Sequence, residues 1–185
     1  MQKGIIFLGP PGSGKGTQGQ ILAQNLKVPH IATGDILRQA IADKTPLGEQ
    51  AQSYMDKGEL VPDFLILDLI QERLGQPDTE NGWILDGFPR NVPQAEFLDQ
   101  LLVKINQRAK WVIYLNVPDD IIVRRLLLRG RSDDTEDTIR HRLVVYQEQT
   151  APLVAYYQEQ GKLYSINGDQ EPELVSTILN NLVAS

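Results

Sequence analysis

Apolar residues fall into two kinds of grouping along this chain. Continuous runs at Ile5–Leu8, Trp83–Leu85 and Trp111–Asn116 are rich in β-branched and aromatic residues. Such runs suit strands buried on both faces of a sheet. Of two weaker segments, Val28–Ile31 reads as a short second strand or a crossing segment and Leu163–Ile166 as a last strand. Elsewhere the apolar positions recur at helical spacing. They predict helices over 14–26, with Ile21, Leu22 and Leu26 on one side, then over 35–43, 47–57, 62–74, 93–105, 118–129, 134–160 and 171–183. Thr33–Asp35 reads as a helix start, because Thr and Asp cap well and Gly34 permits the turn. Pro46 and Pro62 suit first-turn positions, Gly58 suits a stop, and Pro152 should bend or break the long stretch 134–160.

Strands alternating with helices predict a three-layer α/β fold, a parallel sheet of about five strands flanked by helices and joined by right-handed crossovers. Ligands of such sheets bind at the carboxyl ends of the strands. The segments after Leu8, at Thr33–Arg38, at Asp86–Arg90 and from Pro118 onward all follow strands, so they should converge on one crevice. Segment 32–61 is almost all helix and interrupts the alternation. It is expected to form a small lobe over that crevice. The 185 residues suit a single domain, with no internal repeat or linker evident.

The stretch GPPGSGKGT after the first strand narrows the chemistry. A helix start leaves about four backbone N–H groups unpaired and carries a partial positive charge. Gly12, Gly14 and Gly16 have no Cβ, so a phosphate can approach those donors closely. Lys15 adds a mobile charge for the β- and γ-phosphates. The phosphate-loop signature G-x4-G-K-[ST] is met at Gly9, Gly14 and Lys15, whereas Gly16 takes the hydroxyl position and Thr17 supplies the hydroxyl one residue later. The loop implies binding of a nucleoside triphosphate and leaves the fate of the phosphate open.

Charge and composition sharpen this. A net charge of −6 argues against a polynucleotide partner. Six of the ten arginines nonetheless lie between Arg124 and Arg142, as expected of a site for small anions. With no cysteine, disulfides and thiolate zinc sites are excluded. No apolar run has membrane-span length, and Gly and Pro interrupt the first strand too soon for a signal peptide, so a cytoplasmic location is expected.

Asp86 ends a hydrophobic strand, where a carboxylate can hold magnesium through water beside the phosphate loop. Arg90, on a loop stiffened by Pro89, and Arg38, near the same crevice, could clamp a second phosphate. Arg125 and Arg129 share a helix face at i, i+4. Arg131 follows Gly130, and Arg142 lies on the next helix. These arginines could pair with Asp133, Asp134, Glu136 and Asp137, or surround a transferring phosphoryl group whose charge spreads over its equatorial oxygens. Gln94, one turn past Arg90, could read a base edge. His30 and His141 lack a metal-ligand pattern and read as structural. Thr17, Thr33 and Asp35 could serve simply as helix caps.

These motifs together resemble the adenylate kinases, within the nucleoside monophosphate kinases. The matches are GPPGSGKGT (9–17), ATGDILR (32–38), GELVPD (58–63), DGFPRNVPQAE (86–96), RGRSDDTEDTIRHRL (129–143) and QTAPLVAYY (149–157). They span almost the whole chain in the expected order, and Gly16 is then normal, because the family's loop has Gly-Thr after its lysine. The resemblance implies reversible transfer of the γ-phosphoryl of Mg-ATP to AMP, giving two ADP and maintaining adenine nucleotide balance. Gly12, Ser13, Gly14, Lys15, Gly16, Thr17, Arg129 and Gly168 would bind ATP. Thr33, Arg38, Glu59, Leu60, Val61, Gly87, Phe88, Pro89, Arg90, Gln94, Arg131 and Arg142 would bind AMP. Lys15, Arg90, Arg125, Arg129, Arg131 and Arg142 would carry catalysis, with Thr17 and Asp86 at Mg2+.

The same resemblance divides the chain into a core (1–31, 62–128 and 138–185), an NMP-binding lobe (32–61) and a lid (129–137). Many family members carry a longer lid, sometimes with four zinc-binding cysteines. Here only Gly130 separates Arg129 from Arg131, so the lid is minimal and holds no zinc. ATP, AMP and ADP are the expected partners, without nucleic acid polymer or membrane, and a monomer is expected because no exposed apolar seam is evident. No Ser-His or Glu-His activation pair stands out, and none is required. A phosphate monoester has a second pKa of about 6, so AMP is mostly dianionic at neutral pH. Two alternatives remain at this point, a UMP/CMP kinase and a nucleotide-binding module without efficient transfer. Thr33 and Gln94 favour adenine over pyrimidines, and the retained arginines and Asp86 favour catalysis. A GTPase is disfavoured by the lack of an [NT]-K-x-D motif.

Overall fold

The computed structural model describes residues 3–184. Five strands, β1 (Lys3–Leu8), β2 (His30–Ala32), β3 (Gly82–Asp86), β4 (Ala109–Asn116) and β5 (Leu163–Asn167), form one sheet in the order β2-β3-β1-β4-β5. Every pairing is parallel, with Ile5 opposite Ile84 on one side and Trp111 on the other. The helices are α1 (Lys15–Leu26), α2 (Thr33–Ala42), α3 (Pro46–Lys57), α4 (Asp63–Leu74), α5 (Val92–Lys104), α6 (Asp119–Arg129), α7 (Glu136–Val145), α8 (Pro152–Glu159) and α9 (Pro172–Ala184).

Alternation along β1 builds two cores. Ile5 and Phe7 pack with Leu22 of α1 and with Val175, Leu179 and Val183 of α9. Ile6 and Leu8 pack on the other face with Ile70 of α4, Leu98 of α5 and Leu153 and Tyr157 of α8. Each fully buried large apolar side chain contributes about 1.5–3 kcal/mol. These two layers hold β1 rigid in the centre of the sheet, and the glycine-rich loop leaves its carboxyl end. A third cluster, Val117, Ile122, Leu126 and Ile139, joins α6 to α7.

Local signals explain most boundaries. Thr45 caps α3 by accepting from Gly48 N at 3.1 Å, Pro46 is the first helical residue, and Gly58 ends the helix at φ 75°. Gly48 also lets α3 approach α2, since a Cβ there would lie 2.1 Å from the carbonyl oxygen of Ala40. Asn91 caps α5 by accepting from Gln94 N at 2.9 Å.

Two expectations need correction. Strand β2 lies at His30–Ala32 and not at Val28–Ile31, because the Val28 N–H closes the end of α1 on Ala23 O at 3.1 Å. Thr33 does not cap α2: it lies inside the helix, and its hydroxyl donates to Asp86 O at 3.3 Å. The break expected near Pro152 is present: the stretch 134–160 is α7, a π-turn at Tyr146–Thr150 and α8. Pro152 cannot donate, and the turn before it widens so that Ala151 N reaches Tyr146 O at 2.8 Å.

Candidate active site

A cleft of about 950 Å³ opens at the carboxyl end of the sheet, between the glycine-rich loop, α2, the Asp86–Arg90 loop and the arginines of α6 and α7. Gly9, Gly12 and Gly14 take φ of 144°, 82° and 98°, conformations that favour glycine. A Cβ on Gly12 would also lie 2.9 Å from Leu126 Cγ. The N-terminus of α1 has no side-chain cap and no acidic residue in its first turn, which leaves its backbone donors to an anion. Lys15 Nζ folds back over the loop and donates to Gly9 O at 2.8 Å and Pro10 O at 2.9 Å. Burial lowers its pKa to about 8, against the opposing pull of Asp86 and with Arg90 and Arg129 adding repulsion.

Asp86 ends β3 beside this helix start. A Cβ on Gly16 would lie 3.7 Å from Asp86 Oδ2. The loop behind it is tightly packed: Gly87 has φ 83°, and a Cβ there would lie 2.5 Å from Thr33 Oγ1. Arg90 Nε donates to Gly87 O at 2.8 Å, which holds the guanidinium over the same loop. Gln94 is buried at the cleft wall. Its Oε1 accepts from Arg90 N at 2.8 Å and its Nε2 donates to Asp63 Oδ1 at 2.7 Å.

The arginines of α6 and α7 both line the cleft and pair with carboxylates. Arg129 makes two hydrogen bonds to Asp134, at 2.8 and 2.7 Å. Arg142 pairs with Asp133 and, at 3.0 Å, with Asp134. Burial acts to raise the pKa of Asp134, but Arg129, the Arg131 N–H and Arg142 outweigh it and hold the carboxyl below its ordinary value. Arg125 grips Gly168 O with both terminal nitrogens at 3.2 Å and so ties α6 to the loop after β5. A Cβ on Gly168 would meet Val117 Cγ2 at 2.7 Å. Arg131 reaches Asp35 at 3.6 Å, and Asp35 also pairs with Arg38.

The cleft thus gathers Gly12, Ser13, Gly14, Lys15, Gly16, Thr17, Thr33, Arg38, Glu59, Leu60, Val61, Asp86, Gly87, Pro89, Arg90, Gln94, Arg125, Arg129, Arg131, Arg142 and Gly168. Phe88 is the exception: its side chain is fully buried in the core and anchors the loop from behind. The expected pairing of the arginines with Asp133 and Asp134 is present, whereas sequence reasoning missed Asp35 as a partner of Arg38 and Arg131 and Asp63 as a partner of Gln94. The spacing of Asp35 at i−3 from Arg38 was a visible signal, whereas the pairing of Asp63 with Gln94 gave none. His30 also stands closer to the site than its reading as a structural histidine suggests. Its Nε2 is buried without a hydrogen bond, 3.8 Å from Asp86 Oδ2.

No protein cage for a cation is present: among the described residues no group of three His, Cys, Asp or Glu could hold a metal ion. Magnesium suits such a setting, because it keeps several waters and is held through one or two carboxylates plus substrate phosphates. The carboxylate of Asp86 beside the α1 start, with the exposed Thr17 hydroxyl, fits that role.

A parallel sheet whose central strand feeds a glycine-rich loop into an uncapped helix, opposite a ring of arginines, defines a P-loop protein built for phosphate groups. The adenylate kinase family model matches residues 7–162, and the chain belongs to that family. It is 69% identical over 183 residues to Adenylate kinase 1 of Synechocystis sp., covering 99% of this chain and 98% of the relative. Adenylate kinase 1 of Nostoc sp. is 59% identical over 181 residues, covering 98% of each. The adenylate kinase of Trichodesmium erythraeum is 52% identical over 184 residues, covering 97% of this chain and 96% of the relative.

Proposed function

We propose that this chain is an ATP:AMP phosphotransferase that converts Mg-ATP and AMP into two ADP, reversibly, and so maintains adenine nucleotide balance. The observation that carries this reading is the convergence of Lys15, Arg38, Arg90, Arg125, Arg129, Arg131 and Arg142 on one cleft with an uncapped helix start. In the transfer, the bond from the γ-phosphorus of ATP to the β–γ bridging oxygen breaks, and a new bond forms to a phosphate oxygen of AMP. No general base is needed, since the AMP phosphate is mostly dianionic at neutral pH. The barrier lies in bringing two anions into line without water.

The residues divide that task. Gly12, Ser13, Gly14, Lys15, Gly16 and Thr17 hold the ATP phosphates, with Arg129 beside them and Gly168 at the adenine end. Arg38 and Arg90 hold the AMP phosphate, with Thr33, Glu59, Leu60, Val61, Gly87, Phe88, Pro89 and Gln94 shaping the rest of that site. Lys15, Arg90, Arg125, Arg129, Arg131 and Arg142 neutralise charge on the transferring group. Asp86 and Thr17 would hold magnesium, mainly through water, and the ion would supply charge neutralisation and orientation of the phosphates.

In this reading the core is 1–31, 62–128 and 138–185, the NMP-binding lobe is 32–61 and the lid is 129–137. Lobe and lid exclude water by closing on the substrates. We also infer a cytoplasmic monomer without zinc, nucleic acid or membrane partner. Among the described residues no helix is long and apolar enough to cross a membrane. The relatives named above are adenylate kinases, which disfavours the UMP/CMP kinase alternative. Reversibility gives a direct test by phosphorus NMR: ADP with Mg2+ alone should disproportionate to ATP and AMP. ADP that stays unchanged, or yields AMP and phosphate, contradicts the proposal.

A further inference from the structure

The side-chain amide of Gln94 is fixed in one of its two possible orientations by partners that cannot exchange roles. The backbone N–H of Arg90 can only donate, and it takes Oε1 at 2.8 Å. The carboxylate of Asp63 accepts, and it takes an Nε2 hydrogen at 2.7 Å. Reversing the amide would set N–H against N–H and oxygen against carboxylate, breaking both bonds. A primary amide offers two donors and two acceptor sites. Gln94, which lines the cleft, therefore retains one Nε2 hydrogen and one Oε1 lone pair.

We propose that Asp63 is a positioning residue for acceptor selectivity, acting through Gln94. It holds the amide so that the free donor–acceptor pair matches a base bearing a ring-nitrogen acceptor next to an exocyclic amino group, and opposes a base bearing a ring N–H next to a carbonyl. The inference rests on the reading of Gln94 as the residue that faces the AMP base. Adenine presents N1 and the 6-amino group, which complement the amide as fixed. Hypoxanthine, of nearly the same size, presents N1–H and O6, which place donor on donor and oxygen on oxygen. A buried site built to hydrogen-bond one pattern rejects the reversed one because its own polar groups are left unpaired.

Asp63 is well placed for this work without touching the base. It opens α4, separated by Pro62 from the Glu59–Val61 segment that lines the cleft, and it is itself exposed. The amide is thus locked across two elements, α4 and α5, whose core packing includes Ile70 and Leu98. Arg90 N supplies the second lock, so losing Asp63 should weaken the selection without erasing it.

The experiment compares kcat/KM for AMP and IMP in the wild-type enzyme, Asp63→Ala, Asp63→Asn and Gln94→Ala, with circular dichroism to confirm folding. Asp63→Ala should lower the AMP/IMP ratio about fivefold, the ratio that one ordinary hydrogen bond controls. The change should appear in KM more than in kcat. Asp63→Asn can turn its amide oxygen toward Gln94 and should keep most of the preference, a rescue that a merely structural role would not produce. An unchanged ratio in Asp63→Ala overturns the inference, as does an equal loss in Asp63→Asn. An unchanged ratio in Gln94→Ala overturns instead the reading of the base site, so the two failures are distinguishable.

Discussion

The guanidinium of Arg131 lies 3.6 Å from the carboxylate of Asp35, which also pairs with Arg38. The segment after α6 and the start of α2 are therefore joined across the cleft through one carboxylate held between two phosphate-seeking side chains. A substrate phosphate reaching Arg38 has to compete with Asp35 for it. Asp35→Asn should lower KM for AMP by about two- to fivefold, the range of an exposed ion pair. Initial-rate kinetics check this, and an unchanged or raised KM counts against the competition.

Asp35 also carries a pH signature. Burial acts to raise its pKa, but the hydrogen bond and charge of Arg38, with Arg131 beyond it, bring the net value below that of a free carboxyl. A depressed folded value means that the pair contributes fully above the unfolded pKa of about 4 and is lost as pH falls through the lower folded value. The pH dependence of unfolding in Asp35→Asn should therefore be flatter than wild type below pH about 4 and parallel to it above. Parallel curves throughout would show that the carboxylate gains nothing from its arginines.

Lys15 gives the sharpest loss of function. Lys15→Met should reduce kcat by about a hundredfold or more, the scale seen when one preorganised charge donor is removed from a transition state. Its effect on folding should be modest, because the ammonium bonds to carbonyls of its own loop and not to the core. Near-normal turnover would refute the phosphate-loop assignment.

The same ammonium predicts a proton linked to ATP binding. Its pKa of about 8 in the ligand-free protein reflects burial, and an anionic ligand favours the charged form. ATP binding should then take up a proton between pH about 8 and the free-lysine value of about 10.4. Calorimetry at pH 8.5 in buffers of different ionisation enthalpy reads this directly, and Lys15→Met should abolish it. Equal heats in all buffers would contradict the assignment.

Much of the fold was legible because two rules act locally: buried parallel strands read as apolar runs, and glycine and proline mark their turns. Ile5–Leu8 and Trp83–Leu85 lie within strands β1 and β3. The failures came where tertiary contacts decide. Val28 is apolar yet serves to close α1, and Ala109-Lys110 joins β4 through a register shift beside Gly4. Thr33 looks like a cap but spends its hydroxyl on Asp86 O, an interaction between residues far apart in sequence. The cationic half of the site was visible as an arginine cluster. The carboxylates that orient it were harder to see, because Asp63 gains meaning only when α4 is docked beside Gln94.

The most direct test of the central claim is ADP formation from Mg-ATP with AMP, CMP, UMP, GMP or water as acceptor. Rapid turnover is expected with AMP and little with the others. Preference for CMP or UMP would keep the fold and the charge-based mechanism but overturn the reading of the base site. ATP bound without transfer to any acceptor would contradict the proposed enzyme altogether.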